Sequence, residues 1–318
     1  MFRILSLDGG GIKGTFSAAV LAQLEADTGR RCVDHFDLIT GTSTGGIIAL
    51  GLGLGIPAAE IVRFYRDRGP TIFPGTSLIA RFGWLKQLFR PKHSHDVLRQ
   101  ELQGVFKDRT LGESKCRLVI PTYDAIKGRI FMMKTAHHER FKYDYKAKAI
   151  DVALATAAAP TYFAASPFPE HPGSSYVDGG VWANCPALVG VVEAAAMLKV
   201  PLDQMDVLSI GTTTTPFSIA EHANSGAGRW NVGLLNLMFE AQVEAARAQA
   251  MLLVDRRFHR IDVATRAGEY SLDDARPEKI GQLIYQGEAE AKKKENLDLV
   301  KSRFLCDPKA PAFEPVHK

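Results

Sequence analysis

The chain has 318 residues, of which 46% are hydrophobic and 23% are charged, a balance typical of a globular protein and not of a disordered one. Its net charge of +4 is too mild to indicate a nucleic-acid polymer as partner, and its four cysteines form no CxxC pair, which favours a reducing compartment. The N-terminus lacks a secretory signal pattern and no stretch reaches the ~18 apolar residues of a membrane span, so we expect a cytoplasmic protein whose membrane contact is peripheral.

Strands and helices are predicted to alternate along the chain. The predicted strands lie at residues 2–7, 33–41, 117–122, 129–135, 175–178 and 206–210. The predicted helices lie at residues 12–29, 42–55, 150–158, 187–198, 230–256 and 277–304. This alternation is typical of a layered α/β sheet.

No linker or internal repeat divides the sequence, so a single domain over residues 1–318 is expected. The irregular stretch 69–96 is interpreted as a lid-like insertion over one face. The acid–base pattern of the last helix predicts a solvated surface, and the Pro-rich end of the segment 270–318 is expected to fray.

A glycine loop, Gly9, Gly10 and Gly11, follows the first strand and opens the first helix. Its spacing fits the dinucleotide fingerprint G-x-G-x-x-G, but the acidic residue expected after the second strand is missing. A phosphate-binding P-loop is excluded because lysine precedes the last glycine instead of following it. A non-catalytic nucleotide-binding module therefore stays open as an alternative function.

A second motif, Gly-Thr-Ser-Thr-Gly at residues 41–45, has the form G-x-S-x-G between a predicted strand and a predicted helix. At such a nucleophile elbow a sharp turn projects the serine, here Ser43, above the sheet. Acylation of a serine also needs N–H donors for the oxyanion, which a glycine loop at a helix start supplies. The two motifs together favour a serine hydrolase.

Two residues are candidates for the base that activates Ser43. His259 begins the segment "HRIDV", and with it the chain would be a soluble esterase. Asp178 ends a short predicted strand in "SSYVDGGVWANCPA", where it could accept the serine proton without a histidine. An ordinary Asp-Gly-Gly turn is the structural alternative for Asp178.

The motifs "DGGGIKG", "GTSTG" and "DGG", with "ATAAAPTYF" and the Asn-x-Pro of "VWANCPA", resemble the patatin-like phospholipase family over about residues 1–265. The resemblance implies a three-layer patatin-like fold with a central, mostly parallel sheet flanked by helices. It implies hydrolysis of the fatty-acyl esters of membrane phospholipids at the inner face of the membrane, without a metal or other cofactor. It implies Ser43 as nucleophile, Asp178 as general base, and an oxyanion hole from the backbone N–H groups of Gly9, Gly10 and Gly11.

Two further contacts with the lipid are expected. Lys13 stands where the family usually has arginine and is a candidate headgroup contact. The stretch 77–95 alternates aromatic and basic residues, so that Phe82, Trp84 and Phe89 are candidate membrane contacts, although an ordinary packed helix would show the same pattern.

The chain also resembles, in its length and its C-terminal half, bacterial patatin-like phospholipases that act in anti-phage defence. That resemblance implies activation by a cyclic dinucleotide, and it is compatible with a homo-oligomer. Gating makes physical sense, because an ungated phospholipase would attack the membrane of its own cell. A nucleotide gates the enzyme only by binding the active state more tightly than the inactive one.

Overall fold

The computed structural model describes residues 1–73, 94–160, 162–214, 227–266 and 268–317, with the backbone alone over 227–236. Its strands are β1 (Phe2–Leu7), β2 (Leu38–Gly41), β3 (Arg117–Asp124), β4 (Arg129–Lys134), β5 (Ser166–Pro167), β6 (Ser175–Asp178), β7 (Met205–Ile210) and β8 (Phe258–Ile261). Its helices are α1 (Gly14–Thr28), α2 (Thr44–Gly53), α3 (Ala58–Ile72), α4 (His95–Phe106), α5 (Ala149–Thr156), α6 (Gly180–Ala183), α7 (Ala187–Ala196), α8 (Ala227–Val254), α9 (Pro277–Lys292) and α10 (Lys294–Arg303).

The strands form one mixed, mostly parallel sheet in the order β5-β6-β3-β2-β1-β7-β8, with β4 also paired to β3. Strands β3, β2, β1, β7 and β8 run parallel, whereas β4, β5 and β6 are antiparallel to their neighbours. The predicted layered α/β fold with a mostly parallel sheet is confirmed.

Helices cover both faces of this sheet. The strands are accordingly mostly apolar, because both of their faces are buried. Alternate residues of β1 point to opposite faces, so Leu5 and Leu7 lie in one core and Ile4 in another. The larger core also contains Phe16 of α1 and Leu283 of α9. The smaller core joins the sheet to α7 and α8.

Three sequence-based boundaries need correction. Helices α3 and α4 were not predicted, and α3 includes residues 69–72, so the irregular stretch expected at 69–96 is shorter at both ends; residues 74–93 lie outside the described ranges. The single helix predicted at 277–304 is two helices, because Lys293 adopts an extended backbone conformation.

The C-terminal tail does not fray as expected. Arg3 in β1 donates from Nη1 to the carbonyl oxygen of Pro308 at 2.8 Å, and the N–H of Ala310 donates to the carbonyl oxygen of Asp34 at 3.0 Å.

None of the helices in the described ranges has the length and apolar run that crossing a bilayer requires.

Candidate active site

The site lies where two strands meet end to end along one edge of β3. Val119 of β3 pairs with Thr40 of β2, whereas Thr122 of β3 pairs with Asp178 of β6. Because β4 occupies the opposite edge of β3 at both positions, β2 and β6 must share the same edge. They run in opposite directions, so the ends of the two strands face each other beside Pro121.

Ser43 occupies the turn between β2 and α2. Its φ of 56° and ψ of −123° lie outside the regions that residues with side chains favour, and strain of this kind is concentrated at functional sites. Its N–H donates to Oγ1 of Thr156 at 3.0 Å, and that hydroxyl donates to the carbonyl oxygen of Pro121 at 2.7 Å. The predicted nucleophile elbow is therefore present in its backbone geometry.

Asp178 ends β6, and its carboxyl is buried beside the turn that carries Ser43. Burial raises the pKa of the Asp178 carboxyl to about 6, while the Ser43 side chain and the N–H of Gly180, which donates to Oδ1 at 2.7 Å, act to lower it. A carboxyl with this pKa is ionised at pH 7 and still basic enough to accept a proton during a reaction.

The glycine loop lies directly beside Ser43. A Cβ added to Gly9 would lie 3.3 Å from Cβ of Ser43, and a Cβ on Gly10 would overlap the Thr212 side chain. Gly11 has a φ of +57°, a conformation that glycine adopts without strain. The loop therefore approaches both the serine and the end of β7 more closely than residues with side chains allow.

The three glycines differ in the use of their N–H groups. Gly9 donates to the carbonyl oxygen of Asn184 at 2.9 Å, so it is not available as an oxyanion donor, which corrects the expected set of three. The N–H groups of Gly10 and Gly11 have no acceptor in the described part of the chain. Both lie at the N-terminal end of α1, where the helix dipole favours negative charge.

An ion-pair cluster lies next to the glycine loop, since one of its members, Asp8, directly precedes Gly9. Arg260 of β8 lies 2.7 Å from Asp8, at the end of β1, and 2.7 Å from Asp262. Asp262 accepts from the N–H of Thr213 at 3.0 Å. The cluster thus joins the carboxyl ends of three neighbouring strands, and removing Arg260 would leave the carboxylates of Asp8 and Asp262 without their cation.

Two of the remaining predicted site residues, Lys13 and His259, have partners other than Ser43. Nζ of Lys13 donates to the carbonyl oxygen of Thr213 at 3.1 Å, and burial lowers the pKa of Lys13. His259 lies on β8, three strands from β2, or about 14 Å at the usual strand spacing, and its Nε2 contacts Oδ1 of Asn296 at 3.0 Å. The alternative Ser43–His259 pair is therefore not formed. The candidate membrane contacts Phe82, Trp84 and Phe89 lie outside the described residues.

Sequence reasoning assigned no role to three residues of the site, Thr156, Arg260 and Asn184. Thr156 lies in the segment "ATAAAPTYF" and Asn184 in "VWANCPA", both noted as motifs, so a signal for each was present. Arg260 carried none, because its partners are distant in sequence.

A serine at a strained turn, a buried carboxylate beside it and two free N–H donors form the set that nucleophilic acyl transfer requires. Comparison with known proteins points to the same chemistry. Residues 5–191 match the model of the patatin-like phospholipase family. A cGAMP-activated phospholipase of Pseudomonas aeruginosa is 37% identical, over 82% of this chain and 78% of its own length.

Two further relatives cover nearly the whole chain. A cGAMP-activated phospholipase of Vibrio cholerae is 31% identical, over 96% of this chain and 93% of its own. Patatin-like protein 4 of Arabidopsis thaliana is 30% identical, over 91% of this chain and 82% of its own. The chain belongs to the patatin-like phospholipase family, whose members are lipid ester hydrolases.

Proposed function

We propose that this protein hydrolyses the fatty-acyl esters of membrane phospholipids, with Ser43 as nucleophile and Asp178 as general base. The observation that carries the proposal is that the ends of β2 and β6 meet along one edge of β3, where the Ser43 side chain acts on the pKa of the buried Asp178 carboxyl. In the described part of the chain, no histidine is hydrogen-bonded to either residue. The substrate then lies in the membrane, and we expect the enzyme to act at its cytoplasmic face with the stretch 77–95 against the lipid.

The reaction proceeds in two halves that use the same groups. Asp178 accepts the Ser43 proton as Oγ bonds to the ester carbonyl carbon, and the N–H groups of Gly10 and Gly11 stabilise the oxyanion. The tetrahedral adduct expels the lysolipid alkoxide, which takes the proton from Asp178. A water molecule then gives a proton to Asp178 and adds its oxygen to the carbonyl carbon of the acyl-serine. The adduct expels Oγ of Ser43, which takes that proton back from Asp178, so that the fatty acid leaves and both residues return to their starting states.

The test is fatty-acid release from phosphatidylethanolamine–phosphatidylglycerol vesicles. Ser43→Ala and Asp178→Asn should each lower release by about 10³-fold or more, the loss typical of a missing nucleophile or base. His259→Ala is the control and should retain activity, since His259 contacts Asn296 instead of Ser43. Retained activity in a folded Asp178→Asn protein, or its loss in a folded His259→Ala protein, would overturn the assignment.

We also propose that a cyclic dinucleotide activates the enzyme. The support is that relatives 37% and 31% identical are named cGAMP-activated phospholipases. Activity on the same vesicles is measured with cGAMP, with other cyclic dinucleotides and with linear dinucleotides. We expect one cyclic species to raise kcat/KM by at least tenfold; equal activity with and without every one of them would refute the proposal.

A further inference from the structure

The side chain of Asn184 lies between the two catalytic strand ends. A Cβ on Gly180 would lie 3.2 Å from Oδ1 of Asn184 and 3.1 Å from Oδ1 of Asp178. A Cβ on Gly9 would overlap Oδ1 of Asn184. Neither Gly9 nor Gly180 has a positive φ, so glycine is needed at both positions for space and not for conformation. Two glycines therefore make room for one amide beside Ser43 and Asp178.

The backbone of Asn184 is held from both sides. Its carbonyl oxygen accepts from Gly9 at 2.9 Å, and its N–H donates to Oε1 of Gln242 at 3.1 Å. Nε2 of Gln242, in α8, donates to the carbonyl oxygen of Val181 at 3.1 Å. At the preceding residue, Oγ1 of Thr42 donates to the carbonyl oxygen of Ala183 at 2.6 Å. These bonds fix the turn that carries Asn184 to the elbow, the glycine loop and α8.

The side-chain amide itself is unused. Across the described ranges, no hydrogen bond is made by its oxygen or nitrogen, although the side chain is only half-buried and stands in a polar site. The two orientations of an asparagine amide are nearly equivalent in shape, so either end can face a bound ester. Because the Asn184 backbone is held in place and its amide has no partner, the amide is suited to bind a substrate.

We propose that the Asn184 side chain donates a hydrogen bond from Nδ2 to the ester oxygen that becomes negatively charged during the reaction. It would act as a third donor beside Gly10 and Gly11 and replace the donor lost when Gly9 bonds to the Asn184 carbonyl oxygen. Because the charge on this oxygen builds up only in the transition state, the bond strengthens there and raises kcat. The proposal rests on the proposed function, since it requires Ser43 to attack an ester.

The test compares Asn184→Ala, Asn184→Asp and Asn184→Ser with the unaltered enzyme on a soluble p-nitrophenyl ester. Loss of one oxyanion donor should lower kcat/KM by about 10²- to 10³-fold and leave KM within about threefold. Aspartate keeps the shape of asparagine but cannot donate a hydrogen bond when ionised. The fall in kcat/KM of Asn184→Asp should therefore equal or exceed that of Asn184→Ala. Asn184→Ser keeps a hydroxyl donor on a shorter side chain, and it replaces Asn184→Ala in the test if that variant fails to fold.

A transition-state analogue separates this role from a structural one. An alkyl trifluoromethyl ketone adds to the serine as a hemiketal oxyanion, so its Ki should rise in proportion to the fall in kcat/KM across the three variants. Asn296→Ala removes a buried asparagine that contacts His259 and should change neither quantity. A rise in KM alone, an unchanged Ki, or kcat/KM within threefold of the unaltered enzyme would overturn the proposal.

The two proposals fail differently. If Ser43→Ala keeps its activity, the proposed function falls and the role of Asn184 falls with it. If Ser43→Ala is inactive while every Asn184 variant retains full kcat/KM and full affinity for the ketone, only the role of Asn184 falls.

Discussion

At the scale of single residues, burial gives Asp178 its chemistry. A carboxyl at the surface would be a weak base, whereas burial raises the pKa of Asp178 to about 6. The same burial is unfavourable for the ionised form, so the residue that makes the site reactive should also make the fold less stable at neutral pH.

The rate should therefore depend on pH through this carboxyl. Since the base must be ionised to accept the Ser43 proton, we expect kcat/KM to fall about tenfold per pH unit below about 6 and to level off above it. The measurement is a kcat/KM profile on a soluble ester between pH 4.5 and about 8, a range chosen to bracket the pKa. A profile that is flat through pH 5 would contradict the role of Asp178.

Stability should depend on pH in the opposite direction. The folded-state pKa of Asp178 is raised above the unfolded value of 3.8, so the cost of its charge appears as pH rises from about 4 to about 6 and is complete above that. Asp178→Asn should then raise the free energy of unfolding at pH 8 by up to about 3 kcal/mol and change it little at pH 4.

Asp124→Asn is a matched control for that measurement. Asp124 is also a buried strand aspartate, and burial acts to raise its pKa, but N–H bonds from Lys127 and Ile126 leave the pKa lowered. Its ionised form stabilises the fold above pH 4, so this variant should lose stability at pH 8. Loss of stability in both variants would show that the sign inferred for Asp178 is wrong.

At the scale of elements, α9, the last helix but one, packs against α1, the helix that follows the glycine loop. A Cβ on Gly287 would lie 2.6 Å from the carbonyl oxygen of Phe16 and 2.8 Å from Cβ of Ala19. The segment 270–318 is thus not an appendage to the core, because α9 contributes Ile280 and Leu283 to it.

Two glycines of the same helix test this packing. Gly287→Ala should lower the free energy of unfolding by about 1–3 kcal/mol, because the added methyl group meets fixed backbone. Gly281→Ala should raise the free energy of unfolding by up to about 1 kcal/mol. Outside the helix's own backbone and the neighbouring residues, no atom lies within 4 Å of the added Cβ, and alanine favours a helix. Urea unfolding of both measures the difference, and equal effects would contradict the close approach of α9 to α1.

At the scale of the whole molecule, the N-terminal end of β1 is joined to the C-terminal tail, whereas the candidate site lies at the opposite end of that strand. Arg3, which is 7% exposed, donates to the carbonyl oxygens of Cys306 and Pro308 at 3.3 and 2.8 Å. Arg30 reaches the same tail segment at the surface, where it lies 2.6 Å from Asp307.

These two arginines should differ in what they contribute. Arg3→Met removes a buried guanidinium and its hydrogen bonds to the carbonyl groups of Cys306 and Pro308, and should lower the free energy of unfolding by about 1–3 kcal/mol. It should also expose the tail to proteases. Arg30→Met removes an exposed ion pair, which is worth about 0–1 kcal/mol, and serves as the control. Equal proteolysis of the tail in both variants would show that Arg3 does not hold it.

The sequence by itself determined the alternation of the elements and the identity of the two motifs around Gly9 and Ser43. The spacing of apolar residues and the positions of glycines are local properties, so they can be read from a short stretch of sequence whatever the tertiary structure. Helices α3 and α4 were missed although each buries its apolar residues on one face, because Gly69 and Pro70 inside α3 favour an irregular stretch there. The break at Lys293 was missed because no glycine or proline marks it.

Only the tertiary structure decided how the active site is assembled. It places Asp178, and not His259, at the turn of Ser43, because β6 meets β2 along one edge of β3, a pairing between residues far apart in the chain. It also removed Gly9 from the expected donors and placed Asn184 beside Ser43. A hydrogen bond between distant residues depends on strand order and register, which no single stretch of sequence contains.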